Sequence, residues 1–438
     1  MGESMKMQIK LIIVFSILIL VYSPASAAIP SDLDVSDINS HSLKSGISYN
    51  PTSFTASKIY SPSTGSSRIG LVSGNVAKYK IKVKVGTGEY DNIILTNYVQ
   101  EEDPWNTSIN ENLLILPGQG LTEKFYSDMA IYYAQQGYSA YILDRRETNV
   151  PSNETDFSFM EDWTFDEYLK DTYKGIVASR NHTAFLNGKP AETINLTAIG
   201  HSHGALLITA YEASRYDNLD RGSVDRVVPV DIIIKYNPEE LDFIQGQVQE
   251  FDAISENIKN GVFNDTDMAN MMGIASLAYV DPESESLFQP GLTNMQLFRL
   301  MASKTYAFSE HPYTPDYHYW SGDLSSLYYI EENRLLEVTL TGGAVPHPPK
   351  YLDQYMSGLM GNIKGYEISA SRIDSPLLYV GLGGGFGDYG SWWYVNEVGS
   401  KNNRITAITW NDQGHGSIAL DRNALELWAL IDNWIKNN

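Results

Sequence analysis

The sequence predicts an α/β fold with a mostly parallel, doubly wound sheet, an N-terminal antiparallel hairpin and a mainly helical insertion. Three observations predict it. Period-two alternation over Lys78–Val85 returns over Asp91–Val99 after a Gly-Thr-Gly turn, which is typical of a hairpin. Apolar runs then alternate with helically spaced segments as far as Lys235, which indicates a parallel sheet covered on both faces. The alternation stops after Tyr236 and resumes at Pro376.

Each predicted strand is a short apolar run, and each predicted helix has apolar residues spaced for one face. The strands after the hairpin are Asn112–Leu116, Tyr138–Leu143, Thr193–Ile199, Val227–Lys235, Pro376–Leu382 and Arg404–Trp410. The helices are Leu121–Gln136, Thr164–Phe185, Ala205–Ser214 and Ile418–Ile435.

Composition excludes several classes of protein. The 438 residues carry 31 Lys and Arg against 53 Asp and Glu, a formal charge of −22. Such an acidic chain argues against nucleic acid as a partner, because phosphate binding needs a basic face. With no cysteine, the chain cannot form disulfides, thiolate zinc sites or a thiol nucleophile.

Residues 1–27 read as a secretory signal peptide. Lys6 and Lys10 precede the apolar run Leu11–Tyr22, and Ala25-Ser26-Ala27 is an A-x-A cleavage site. The alternative is an uncleaved membrane anchor, although twelve apolar residues fall short of the roughly 20 needed to span a bilayer. We therefore expect a secreted or extracytoplasmic protein that meets a membrane only if this segment is retained.

Four further parts follow the signal peptide. Residues 28–68, rich in Ser, Thr, Asn, Asp and Pro, read as an extended arm. Residues 69–236 and 373–438 form the α/β core, and residues 237–372 form a cap dense in Tyr, Met, Phe and Leu. A cap over the core would form one wall of a substrate pocket.

The strongest chemical signal is Gly200-His201-Ser202-His203-Gly204, a G-x-S-x-G match. It lies between an apolar strand and an apolar helix, where a nucleophile elbow needs a sharp turn. Glycines flank the serine because neighbouring Cβ atoms would clash in such a turn. The N-terminus of the following helix favours the negative charge that develops during attack.

At these residues the chain resembles the α/β-hydrolase family, over residues 78–236 and 373–438. The resemblance implies an oxyanion hole, a serine nucleophile, an acid and a histidine in that chain order. It implies Ser202 as nucleophile, with oxyanion donors at the backbone N–H groups of Gln119 and His203. Gln119 lies in Leu116-Pro117-Gly118-Gln119-Gly120, where the family's more common His-Gly opening is replaced by Pro-Gly. The alternative for this loop is a plain strand–helix turn.

The resemblance also assigns the histidine and the acid. Of eight histidines, only His415 follows the last core strand, where the family places its general base. Asp388, after the strand Pro376–Leu382, is the predicted acid. The competing acids follow the preceding strand, where some members keep theirs; they are Glu239, Glu240 and Asp242.

Other interpretations of the motifs are weaker. The run 385–390 matches G-x-G-x-x-G, but no βαβ unit follows it, which argues against dinucleotide binding. His201 and His203 bracket the elbow without a third ligand pattern, so we expect no metal and no cofactor. Arg145 and Arg146 could bind an anionic group, but a structural ion-pair role is favoured.

These observations predict a secreted serine hydrolase that cleaves carboxylic esters, with an apolar or aromatic small-molecule or acyl substrate. A serine peptidase or amidase would use the same constellation and stays open. A non-catalytic exported binding module is the third possibility, which would require a broken triad. The oligomeric state is not readable from the sequence.

Overall fold

The described part of the chain is built on one sheet. The computed structural model describes residues 59–61, 66–101, 111–235, 253–264, 267–302, 324–327, 330, 332–343, 345–359, 368–411 and 413–438. Within these residues the sheet has ten strands in the order β1-β2-β3-β4-β6-β5-β7-β8-β9-β10. The strands are β1 Ile59–Ser61, β2 Ser66–Ser73, β3 Val76–Lys84, β4 Asn92–Gln100, β5 Glu111–Leu116, β6 Ser139–Asp144, β7 Asn195–His201, β8 Arg226–Val230, β9 Leu377–Leu382 and β10 Ile405–Trp410.

The sheet is antiparallel at one end and parallel over the rest. Strands β1 to β4 pair antiparallel in sequence order, and β4 also pairs antiparallel with β6. From β6 onward every neighbouring pair is parallel. The predicted hairpin is β3 and β4, so the predicted fold class is confirmed.

Helices cover both faces of the sheet. They are α1 Glu123–Gln135, α2 Phe165–Asn187, α3 His203–Glu212, α4 Asp267–Val280, α5 Asn294–Ala302, α6 Glu332–Gly342, α7 Pro349–Leu359, α8 Gly387–Trp393, α9 Ser417–Leu420 and α10 Ala424–Asn437. Residues 253–259 are also helical. In the part of the chain that the structure describes, no helix combines the length and the apolar character needed to cross a bilayer.

The central strand β5 shows how the two faces are built. Leu113 and Ile115 belong to an apolar cluster with α1 and α10, whereas Leu114 and Leu116 belong to a second cluster with α2 and α3. Successive side chains of a strand point to opposite faces, so a continuous apolar run serves two cores. All four side chains are at most 2% exposed.

The described helices of the predicted cap divide between these clusters. Helices α4, α5 and α6 add apolar side chains to the cluster around α1, whereas α7 adds Tyr351 and Tyr355 to the cluster around α2 and α3. Whether residues 237–372 act as a cap stays a prediction. The predicted signal peptide lies outside the described residues.

Three predictions of element bounds are wrong, and one of them is the helix Ile418–Ile435, which is divided into α9 and α10. Strands β1 and β2 begin inside the predicted arm 28–68, because β1 is an edge strand of three residues, too short to show a period-two pattern, and pairs with β2 through its backbone. The predicted strand Val227–Lys235 ends at Val230. Asp231 has φ of 53°, which no extended strand allows.

Candidate active site

Ser202 occupies a strained turn between β7 and α3. Its φ is 54° and its ψ is −123°, a conformation that costs a non-glycine residue about 1–3 kcal/mol. The Ser202 N–H donates to the Val230 carbonyl at 2.9 Å, which anchors the turn to the end of β8. A strained conformation persists only where the surrounding structure enforces it. The sharp turn places the serine beyond the end of the strand.

The two glycines of the motif are required by close backbone approach. A Cβ on Gly204 would overlap the Leu116 carbonyl at the end of β5, and a Cβ on Gly200 would overlap the Gly204 carbonyl. The first turn of α3 therefore packs directly against the end of β5. The two glycines of G-x-S-x-G are therefore explained by this close contact and not by a need for backbone flexibility.

His415 is held by Asp231. The His415 Nδ1 lies 2.6 Å from Asp231 Oδ2, and the two side chains are 1% and 0% exposed. Since a carboxylate can only accept, Nδ1 carries the proton, and a neutral ring keeps its lone pair on Nε2. His415 is thereby set in the tautomer that a general base needs.

The Asp231 carboxylate is enclosed by the backbone of the glycine-rich loop after β9. Its Oδ1 accepts from the N–H groups of Leu382 at 2.8 Å, Gly387 at 2.9 Å and Phe386 at 3.1 Å. A Cβ on Gly385 would overlap Asp231 Oδ2. The glycine-rich sequence therefore lets the loop close around a buried carboxylate.

Arg145 orients the loop that follows β5. Its guanidinium donates to the carbonyls of Pro117 at 2.7 Å and Gly118 at 2.8 Å, and it pairs with Glu147 at 2.6 Å. In a trans peptide the C=O and N–H point in opposite directions. With the Gly118 carbonyl held by Arg145, the Gln119 N–H points away from the guanidinium, and the described residues give it no acceptor.

His201 connects this loop to His415. Its Nε2 donates to the His415 carbonyl at 2.7 Å, and its Nδ1 accepts from the Tyr126 hydroxyl at 2.7 Å. The same hydroxyl accepts the Gly118 N–H at 3.1 Å. Burial lowers the pKa of His201 well below its ordinary value, which keeps the ring neutral and this pattern of donors intact.

Neither the family models nor the curated proteins match this chain. Among solved structures, a protein from Sulfolobus solfataricus identified only provisionally as a lipase aligns over 84% of this chain and 96% of its own, with 16% identity and a TM-score of 0.55. A carboxylesterase from Nitrososphaera gargenis aligns over 80% and 97% (9%, TM-score 0.44). An epoxide hydrolase from Vigna radiata aligns over 82% and 98% (12%, TM-score 0.45).

The chain has the α/β-hydrolase fold. Within this fold, the Gln119 loop, Ser202 and His415 follow the parallel strands β5, β7 and β10. A Cβ on Gly118 would lie 3.4 Å from the Ser202 Cβ, and the rings of His201 and His415 are 4.7 Å apart. His203 is the first residue of α3, where a backbone N–H has no partner inside the helix.

The carboxylate that contacts His415 is not the predicted one. Asp388 is exposed in the first turn of α8, where the helix N-terminus stabilises a carboxylate. The carboxylate that contacts His415 Nδ1 is that of Asp231. Asp231 follows β8, the strand after which the alternative acids were expected. The competitors Glu239, Glu240 and Asp242 lie outside the described residues.

A signal for Asp231 was present in the sequence. The residue stands inside Val227–Ile234, which is otherwise apolar or proline, and a charge in such a run has to be paired when it is buried. The signal is missed when the whole run is predicted to be one strand, because β8 ends at Val230.

The structural role favoured for the paired arginines agrees with the contacts. Arg146 binds Asp171 through two nitrogens at 2.6 and 2.7 Å and Asp91 at 2.9 Å, and Arg145 is used as described above. In the described ranges, no three His, Asp or Glu side chains lie close enough together to bind a metal ion.

Proposed function

We propose that the protein is an exported serine hydrolase that cleaves carboxylic esters through an acyl-enzyme on Ser202. His415 is the general base and Asp231 the acid that orients it. The observation that carries the proposal is the buried 2.6 Å pair between His415 Nδ1 and Asp231 Oδ2 beside a strained serine.

The proposed reaction has two steps, formation of an acyl-enzyme on Ser202 and its hydrolysis, and the same groups act in both. Ser202 Oγ attacks the ester carbonyl carbon while its proton passes to His415 Nε2. The carbonyl oxygen becomes an oxyanion that accepts from the N–H groups of Gln119 and His203. His415 then protonates the departing alcohol as the C–O bond breaks. Water, deprotonated by His415, releases the acid and restores the Ser202 hydroxyl.

Asp231 supports the positive charge that His415 acquires in both halves. Because both side chains are buried, their interaction is little screened by solvent. The three backbone donors on Asp231 Oδ1 keep the carboxylate in place as the ring changes charge.

The test is covalent labelling. Wild-type protein should react with a fluorophosphonate probe and hydrolyse p-nitrophenyl butyrate, and Ser202→Ala should lose both while keeping its melting temperature. Ser400, an exposed serine whose hydroxyl donates to the Glu397 carbonyl, offers a matched control: Ser400→Ala should keep the label. Labelling that survives Ser202→Ala would remove Ser202 from this role.

Export and substrate character are part of the proposal on sequence grounds. Cleavage after Ala27 predicts an exported protein whose first residue is Ala28, which N-terminal sequencing checks. The aromatic content of residues 237–372 supports an apolar or aromatic part in the substrate. Comparing p-nitrophenyl esters with amino-acid anilides separates an esterase from a peptidase or amidase.

A further inference from the structure

Three side chains beside the elbow form a buried polar cluster, consisting of His203, His347 and Tyr351. The ring of His203 lies 5.2 Å from that of His347 and 5.7 Å from that of Tyr351, and the rings of His347 and Tyr351 are also 5.7 Å apart. The residues are 7%, 4% and 2% exposed. His203 follows the nucleophile directly, whereas the other two come from the insertion.

Four of the five polar side-chain atoms of this cluster are buried without a hydrogen-bond partner. Among the described residues, no partner reaches His203 Nδ1, either ring nitrogen of His347, or the Tyr351 hydroxyl. An unsatisfied buried donor or acceptor costs about 1–3 kcal/mol. Four in one place is a large cost for a fold unless another molecule supplies the missing partners.

Neighbouring tyrosines show that the same packing layer can satisfy hydroxyls. Tyr355, one turn further along α7, donates to the Ile233 carbonyl at 2.8 Å. Tyr168, whose ring lies 4.9 Å from that of Tyr351, donates to Glu147 at 2.9 Å. Among the described residues, four of the fourteen buried polar side-chain atoms without a partner belong to this cluster, which includes the residue that follows Ser202.

The charge of the cluster limits what it can bind. Burial, reinforced by the Arg145 charge, lowers the pKa of His203 to about 3. Burial likewise lowers the pKa of His347 well below its ordinary value. Neutral imidazoles and a phenol can each donate and accept. Arg145 is already paired with Glu147 at 2.6 Å, so the cluster suits an uncharged group more than an anion.

We propose that the buried polar cluster is a substrate subsite that binds an uncharged hydroxyl group of the ester. The inference rests on the proposed function, because the subsite adjoins Ser202. A hydroxyl both donates and accepts, so it can pair with an imidazole nitrogen and with the Tyr351 hydroxyl together. Esters that lack the hydroxyl leave these atoms unpaired, and a site of that kind discriminates against them.

The experiment measures selectivity with two matched pairs of esters. On the acyl side, p-nitrophenyl β-hydroxybutyrate is compared with p-nitrophenyl butyrate. On the alcohol side, ethylene glycol monobutyrate is compared with ethyl butyrate in a pH-stat. For each pair, kcat/KM of the hydroxylated ester is divided by that of its apolar analogue, in wild type, Tyr351→Phe, His347→Phe and the matched control Tyr355→Phe.

Tyr351→Phe should lower the ratio about threefold to tenfold for at least one pair, the effect of one hydrogen bond. His347→Phe, which removes two polar atoms, should lower it at least as far. Tyr355→Phe, the same chemical change one turn away, should leave the ratio unchanged. Ratios that stay at the wild-type value in both cluster variants overturn the subsite.

Labelling separates this failure from failure of the proposed function. If wild-type Ser202 takes the fluorophosphonate label and the ratios do not move, only the subsite is refuted. If wild type neither takes the label nor hydrolyses any of the esters, the proposed function is refuted, and the subsite with it.

Discussion

Asp231→Asn tests the proposed site most directly, because the structure dictates how the new amide must turn. Asp231 Oδ1 accepts from three backbone N–H groups, those of Leu382, Phe386 and Gly387. An Asn oxygen has to replace Oδ1, since an NH₂ group there would face three donors. The amide nitrogen then faces His415 Nδ1, which has to become an acceptor.

This turn shifts the proton of His415 to Nε2, the nitrogen proposed to deprotonate Ser202. A substitution that imposes this wrong tautomer in a Ser-His-Asp site lowers kcat by about 10⁴-fold, or about 5 kcal/mol of transition-state stabilisation. We expect the same order here, with a small change in melting temperature because the backbone donors keep an acceptor.

The assay is kcat for p-nitrophenyl butyrate as a function of pH, with fluorophosphonate labelling rate as a second measure. Asp388→Asn is the matched control, and its exposed side chain predicts near wild-type values. An Asp231→Asn protein within about tenfold of wild type, or a large loss in Asp388→Asn, would refute the assignment of the acid.

Three further changes test the surroundings of the site and the core of the fold. Arg145→Met should lower kcat by about 10²-fold, since the released Gly118 carbonyl no longer orients an oxyanion donor, whereas Arg215→Met, at a 71% exposed side chain, should not. Gly204→Ala should lower the melting temperature by more than about 10 °C, because its Cβ overlaps the Leu116 carbonyl. Burial lowers the pKa of His182 from 6.5 to about 3, so between these values the unfolded chain binds the extra proton and stability rises with pH. Urea titrations should show that the wild type gains about 1.4 kcal/mol per pH unit relative to His182→Gln over this range, and equal slopes would contradict the reasoning.

The sequence by itself determined the layers of the fold and the sharp strand-to-helix turn at Ser202. Strand–helix alternation is a local pattern, and a run such as Asn112–Leu116 reports burial on both faces without any knowledge of its neighbours. The motif at the elbow is also local, and a Cβ on Gly200 would overlap the Gly204 carbonyl within the same five residues, although Gly204 is required by the Leu116 carbonyl of a distant strand. His415 could be selected because only one histidine follows the last core strand.

Tertiary structure alone decided which carboxylate meets that histidine. Asp231 and Asp388 both follow core strands, and 184 residues separate Asp231 from His415. The choice depends on the positive φ that ends β8 at Val230 and on a glycine-rich loop that folds around Asp231. Contacts between distant residues depend on loop paths and strand order, which no local periodicity encodes. The buried polar cluster could not be predicted for the same reason, because His203 and His347 are far apart in the sequence and come into contact only in the folded chain.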